Sequence, residues 1–375
     1  MKTYNIWYVL LALLVIGCSE SEDGQGTGND DDVIGVAVDY SLLLTNNGML
    51  SGSLLNANID VITANPAPSP FGTTVAPSVT YRDGTVLSYF ENKSDCSGEV
   101  STYDFDDDAF NKVAVFQDVL DCELSVKAIA HSNNSLFIAY SVPTADPKLT
   151  NFFIRVVDID SADFVDVVLE KEPKQLIFSG DRLFILSIDE DISEKNALVV
   201  LNAETNTLVH EVNLDLDVQK IAKNTNGDIL VSYPNLHLVI NKTTLGIIST
   251  VRYADGKEAK FGFSERSYFD SLGNLYFQRP SDTGDFPHIP AVYDFSTNTA
   301  ILYFYENFLT EQQRFEFDPE DTSMVSYDAK NNLILIGYKK SGDTKGGLIR
   351  IKPAPDPKFV DHIDLDGVPY DIFVK

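Results

Sequence analysis

An all-β fold, a β-propeller of seven four-stranded blades, is what the sequence predicts, on three observations. The first is the unit from Pro173 to Asp215, which holds four short runs of Val, Ile, Leu and Phe separated by turn residues. Runs this short, rich in β-branched and aromatic side chains and bounded by Gly, Asp and Asn, are strands, and four in succession form a meander. The second is that the unit recurs. Aligned on the first apolar residue after a polar turn, the copies start at Val86, Leu136, Leu183, Ile229, Leu275 and Leu333, with spacings of 50, 47, 46, 46 and 58 residues. An independent turn recurs in the same phase at Asp104, Asp158, Asn202, Asn241 and Asp294, with a degenerate copy near Pro353. Asn, Asp and Gly stand there because tight hairpins need positive φ or a side chain that bonds its own turn. Two turn families at one period are the signature of propeller blades.

The third observation is closure. The chain ends in Pro369-Tyr370-Asp371-Ile372-Phe373-Val374, which matches an innermost strand such as Pro173 to Phe178 but has no partners after it. The runs Val33–Val38, Tyr40–Thr45 and Leu54–Thr63 have no leading strand, so the two ends are expected to share one blade. That arrangement leaves no open sheet edge. Six repeats plus the composite make seven blades. Six or eight are the alternatives, because the stretch from Leu275 to Leu333 carries an insertion.

Before the propeller, residues 1–17 have one Lys and an apolar run from Ile6 to Ile16, too short to span a bilayer and suited to a signal peptide. Leu14-Val15-Ile16-Gly17-Cys18 reads as a lipobox, with Cys18 the lipidated mature N-terminus. Residues 18–32 are acidic and Gly-rich, a tether reaching at most about 45–50 Å. The propeller is assigned residues 33–375.

A net charge of −28 argues against nucleic acid and against adhesion to anionic lipid, leaving the lipid anchor as the membrane contact. Trp7, in the signal, is the only Trp. Cys96 and Cys122 remain after Cys18, and in an oxidising compartment they are expected to form a disulfide. Closing a loop of that size contributes about 3 kcal/mol. The five His are scattered without zinc spacing, and no cofactor is called for. Asp104, Asp106, Asp107 and Asp108 could hold Ca²⁺, but they coincide with a turn that wants Asp in any case. No nucleophile elbow or phosphate loop is present. No catalytic residue is therefore assigned. Carboxylate pairs for glycoside cleavage stay open, since 56 acids place some together by chance.

With strands named a to d from axis to rim, the short a–b and c–d turns share one face and the long b–c and d–a loops share the other. Variable loops on a rigid scaffold are the usual place for a site. Many cations fall there in the later blades: Arg252, Lys257, Lys260, Arg266, Arg279, Arg314, Lys339, Lys340 and Lys345, with Tyr253 and His288 between them. A cationic, aromatic rim suits a flat anionic ligand through charge-assisted hydrogen bonds and cation–π contact. A glycan-binding or carbohydrate-active propeller and a protein-interaction scaffold are the rival readings.

The segment VIGVAVDYSLLLTNNGMLSGSLLNANID, following the lipobox and acidic tether, resembles an uncharacterised family of Bacteroidota surface lipoproteins, as do SVKAIAHSNNSLFIAYSVP and RSYFDSLGNLYFQRP. The resemblance implies a propeller anchored in the outer membrane and facing the cell exterior. It implies a partner, a TonB-dependent receptor, and a small anionic ligand of ferric-siderophore type. It supplies no binding residue.

Overall fold

The turn between the third and fourth strands shows how the repeat is made. Asp158, Asn202, Asn241 and Asp294 each accept backbone N–H bonds from the residues two and three further on, and a hydroxyl bond from Ser161, Thr205, Thr244 or Ser296. Four residues after the Asx position the chain turns left-handed, at Ala162, Asn206, Leu245 and Asn298, with φ between 54° and 60°. The acidic turn of the first repeat follows suit. Asp104 caps the N–H of Asp106, and Asp108 is the left-handed residue at φ 52°, its carboxylate bonded by Tyr103 and Lys375. Asp104 and Asp108 thus have turn and packing roles.

The computed structural model describes residues 35–119, 122–144, 150–188, 196–214, 217–282 and 286–375. Cys18, the signal segment and the tether lie outside the described residues, as do Val33 and Ile34. The strands form seven antiparallel sheets of four. Blades 1 to 6 run in chain order, with inner strands Val79–Asp83, Ser125–His131, Glu172–Ser179, Lys220–Lys223, Ser267–Phe269 and Pro319–Asp328. The unit read first, Pro173 to Asp215, is blade 3, from Glu172 to Asn213. The fold is a seven-bladed β-propeller. Blade 7 takes its inner strand, Val368–Val374, from the C-terminus and its other three, Val38–Asn46, Met49–Ala57 and Ile62–Ala64, from the N-terminal side. The insertion that left the count open holds the helix Glu311–Phe317, started by a Thr310–Gln313 capping box, and adds no blade.

Composite closure was expected, but its strand bounds differ. Val36 and Ala37 belong to no strand, and the run from Leu54 to Thr63 divides between two strands. The cause is a hairpin at Asn47-Gly48, where φ is 50° and 80°. That pair meets the two positive-φ positions of a type I′ turn, so the ladder of Val38 to Asn46 against Met49 to Ala57 runs without a break.

Seven apolar clusters hold the ring, one at each contact between neighbouring blades. Second strands are buried on both faces, which is why Leu183-Phe184-Ile185-Leu186 reads as an unbroken apolar run. The seam between blades 6 and 7 adds polar links. Tyr40 donates to Asp328 at 2.7 Å, and the fully buried Arg350 bonds both Asp361 oxygens and the carbonyl of Asn58. Between blades 1 and 2, the buried Arg155 holds Asp118 at 2.6 and 2.8 Å and Asp166 at 2.7 and 2.8 Å. Cys96 and Cys122 are joined, with Cα atoms 4.8 Å apart, and tie a b–c loop to the following d–a connection.

Ala162 is exposed and left-handed, a state that costs a non-glycine residue about 1–2 kcal/mol. Ala162→Gly is therefore expected to raise stability by about 0.5–1 kcal/mol, after the entropy that Gly adds to the unfolded chain. Urea denaturation reads this directly, and a loss of stability would show that the turn relaxes around Ala162.

Candidate functional site

In blades 1, 2 and 4 the last residue of the inner strand is titratable: Asp83, His131 and Lys223. Each strand ends there because the chain must turn, and the side chain at that position looks over the short-turn face. Lys223 Nζ lies 2.6 Å from both carboxylate oxygens of Asp83 and 3.3 Å from the carbonyl of Phe178. Blades 1 and 4 stand three steps apart, the widest separation in a ring of seven. This ion pair therefore crosses the axis.

Above the pair is a depression of about 1010 Å³, lined by the a–b and c–d turns of blades 1 to 4. Blade 1 contributes Thr102, Asp104, Phe110 and Asn111, and blade 2 contributes Ser132, Asn133, Asn134 and Ile159. Phe178, Ser179 and the turn from Asn224 to Gly227 with Lys242 complete the wall. Part of this polar set is spent on its own turns: Ser132 Oγ accepts from Ser135 N, and Asn224 Oδ1 from Asp228 N. Thr102, Asn133, Asn134, Thr225 and Asn226 make no side-chain hydrogen bond to another described residue, so their hydroxyls and amides face the opening uncommitted. Gly227 is needed for close approach. Its φ is 81°, and a Cβ there would sit 2.7 Å from Lys242 Nζ and 2.9 Å from Ser179 Oγ. Ser179 Oγ donates to the Gly227 carbonyl at 2.6 Å, and Lys242 Nζ to that of Asn226 at 2.8 Å.

His131 forms the deep side of the wall. Its Nδ1 shares a 2.7 Å hydrogen bond with Ser88 Oγ, and its ring meets Tyr81 edge-on at 5.1 Å. Burial pushes its pKa down to about 4, opposed by Asp83 and aided by Lys223. The imidazole is neutral at pH 7 and can donate or accept a hydrogen bond without adding charge.

The residues singled out from the sequence lie toward the long-loop face, away from this depression. Few of them converge. Lys260 and Arg279 share Asp282, and Arg279, itself buried, also reaches the carbonyl of Glu258. His288 faces Asp321 at 3.1 Å, Lys339 faces Glu320 at 2.8 Å, Lys340 faces Asp364 at 2.7 Å and Lys345 faces Asp366 at 2.9 Å. Arg266 stacks on Tyr370, 3.5 Å from the ring centroid, beside Glu265. Tyr253 turns its hydroxyl inward to His237 at 2.7 Å. Arg252, Lys257 and Arg314 have no carboxylate partner among the described residues. Counting cations from the sequence missed this neutralisation, because the partners lie up to 33 residues away or on another strand. The missed residues had a usable signal. Aligned by repeat, the position before each a–b turn reads Asp83, His131, Ser179, Lys223, Asp270 and Asp328, polar at the end of an apolar strand. In blades 5 and 6 the Asp bonds its own turn. In blades 1, 2 and 4 the side chain faces the depression.

No protein-family model matches the chain, and no curated protein matches it. Solved structures do. The periplasmic gluconolactonase of Pseudomonas aeruginosa is 13% identical with a TM-score of 0.56, over 90% of this chain and 99% of that one. A putative 6-phosphogluconolactonase from Bacteroides uniformis is 12% identical with a TM-score of 0.53, over the same shares. A functionally unknown protein from Desulfotomaculum acetoxidans is 9% identical with a TM-score of 0.50, over 90% and 98%. Likeness at this identity establishes the propeller fold alone.

Two outcomes follow. In a double-mutant cycle, Asp83→Asn and Lys223→Met should couple by about 1 kcal/mol, the range for a partly exposed pair; additive effects would mean that the bond does not span the axis in solution. His131 takes its proton near pH 6.5 when unfolded and near pH 4 when folded. The unfolded state binds more protons in between, so stability is fully present above pH 6.5 and falls as pH drops toward 4. His131→Gln should flatten the stability profile across that window in thermal melts, and an unchanged slope would assign the acid sensitivity elsewhere.

Proposed function

We propose that this chain is a ligand-binding propeller whose site is the short-turn depression, and that its ligand is a polyhydroxylated small molecule of the sugar-acid class. One observation carries the reading: the uncommitted hydroxyls and amides of Thr102, Asn133, Asn134, Thr225 and Asn226 open onto a single cavity beside Lys242. Hydroxyl-rich ligands exchange many neutral hydrogen bonds with water for equivalent ones with protein, and such a lining provides them. Lys242 has no carboxylate partner among the described residues, which favours an acidic group on the ligand. Phe178 and Phe110 offer apolar faces to a sugar ring. Two of the similar solved propellers bear gluconolactonase names, in keeping with a sugar-acid ligand.

A second reading places a ferric chelate of siderophore type on the long-loop face and rests on Arg252, Lys257 and Arg314, the cations there without a carboxylate partner. In both readings the lipobox at Cys18 supports an outer-membrane anchor with the propeller facing outward. A TonB-dependent receptor is then the recipient, in line with the resemblance of the N-terminal segment to surface lipoproteins.

Isothermal titration separates the two. Gluconate and galacturonate are expected to bind the wild-type chain, with affinity lowered at least tenfold by Lys242→Glu and untouched by Arg252→Glu with Lys257→Glu. A ferric catecholate that binds in place of the sugar acids, and is lost in the Arg252/Lys257 variant, would install the second reading. Absence of any sugar-acid binding would sink the first.

A further inference from the structure

A small cavity lies at the outer side of the seam between blade 7 and blade 1. After its last strand, blade 7 runs the loop of residues 65–77 along the free edge of its strand Met49–Ala57, bridging Ser51 to Gly72. The loop is held there by Gly52 N to the Phe71 carbonyl at 3.0 Å, Thr73 N to the Leu50 carbonyl at 2.8 Å and Leu50 N to Thr73 Oγ1 at 3.0 Å. Phe71 is thereby driven between the blades, its ring 5.2 Å from Tyr103 and 6.0 Å from Tyr89. Beside it remains a cavity of about 260 Å³, walled by Phe71, Tyr89, Tyr103 and Phe110 and lined as well by the charged side chains of Glu91, Asp108 and Lys112.

One side chain of this cavity is unexplained by the fold. Glu91 is 3% exposed, and its Oε1 is buried with no hydrogen-bond partner. Nearby cations are committed elsewhere: Lys112 and Lys93 both bond Glu99, at 2.9 and 3.3 Å. Two lysines thus share one carboxylate while its cross-strand neighbour, Glu91, has none. Buried polar atoms in folded proteins are almost always satisfied, by protein, water or ligand.

We infer that the cavity between blades 7 and 1 is a binding site for a small organic monocation of the alkylammonium class. Glu91 is its counter-charge, and the rings of Phe71, Tyr89, Tyr103 and Phe110 are its walls. Aromatic faces attract weakly hydrated cations, and the attraction grows when water is excluded. Phe110 already carries a cation on one face, with Lys112 Nζ 5.1 Å from its centroid. A divalent metal fits less well, since it needs several oxygen ligands. Among the described residues no cluster of three or more His, Cys, Asp or Glu is set to hold one. The net charge of −28 draws cations to the whole surface, so selectivity must come from the aromatic cavity.

The test uses the full chain and tetramethylammonium chloride, with sodium chloride at equal ionic strength as reference. Saturable binding is expected by titration calorimetry, with a rise in Tm that sodium does not give. Glu91→Gln keeps shape and should weaken binding at least tenfold, with apo melting showing that the variant is folded. Phe71→Leu should weaken it as well, while Lys242→Glu should leave it unchanged. Equal responses to the two salts, or full binding by a folded Glu91→Gln variant, would overturn the inference. So would a crystal soaked in tetramethylammonium that shows ordered water alone against Glu91.

Discussion

Ring closure is the constraint on which the rest of this molecule depends. Each of the seven apolar clusters is built from two blades, and no blade owns a core by itself. Two of the seven, at either side of blade 7, require the C-terminal strand Val368–Val374 to pair with Val38–Asn46. Ile372 and Phe373 on that strand are buried, and Phe373 stacks on Phe105 at 3.9 Å. The ladder therefore joins chain ends over 300 residues apart and completes both neighbouring cores at once. Tyr40, Asp328 and Arg350 add directional bonds at the same seam, so the register of the closure is specified by polar geometry as well as by apolar volume.

Most of this was legible in the sequence because the turns are chemically stereotyped. An Asx residue followed four positions later by a left-handed residue gives the same c–d turn in every blade from 1 to 5, whatever occupies the positions between. Ala162 and Leu245 fill the left-handed position at a cost, yet the Asx bonds hold the conformation. The N-terminal strands were harder to bound. The apolar run through Leu42, Leu43 and Leu44 is compatible with several strand bounds, whereas Asn47-Gly48 is the stronger local signal.

The site was far less legible, for a physical reason. Charge count along a sequence reports how many cations a loop carries, and says nothing of which carboxylates fold against them. Lys340 meets Asp364 two strands away, Lys345 meets Asp366 just past the end of the outer strand, and Lys260 meets Asp282 across a d–a and a b–c loop. The depression is opened by residues that look like ordinary turn formers: Asn133, Asn134, Thr225, Asn226. What distinguishes them is the count of side chains left without a local bond, a property of the folded turn. Titratable residues end four inner strands, at Asp83, His131, Lys223 and Asp328, a pattern that emerges only when the repeats are in register.

The bond between Lys223 and Asp83 has a consequence for traffic. Because it crosses the axis, and because Arg82 packs against Phe373 and bonds Asp371 just beyond it, the centre of the ring is barred at that level. The depression is a cul-de-sac. Under the binding role proposed above, a ligand that enters from the short-turn side would leave by the same door. Any recipient would have to approach the loaded mouth, where its docking surface and the ligand would compete for one patch of protein.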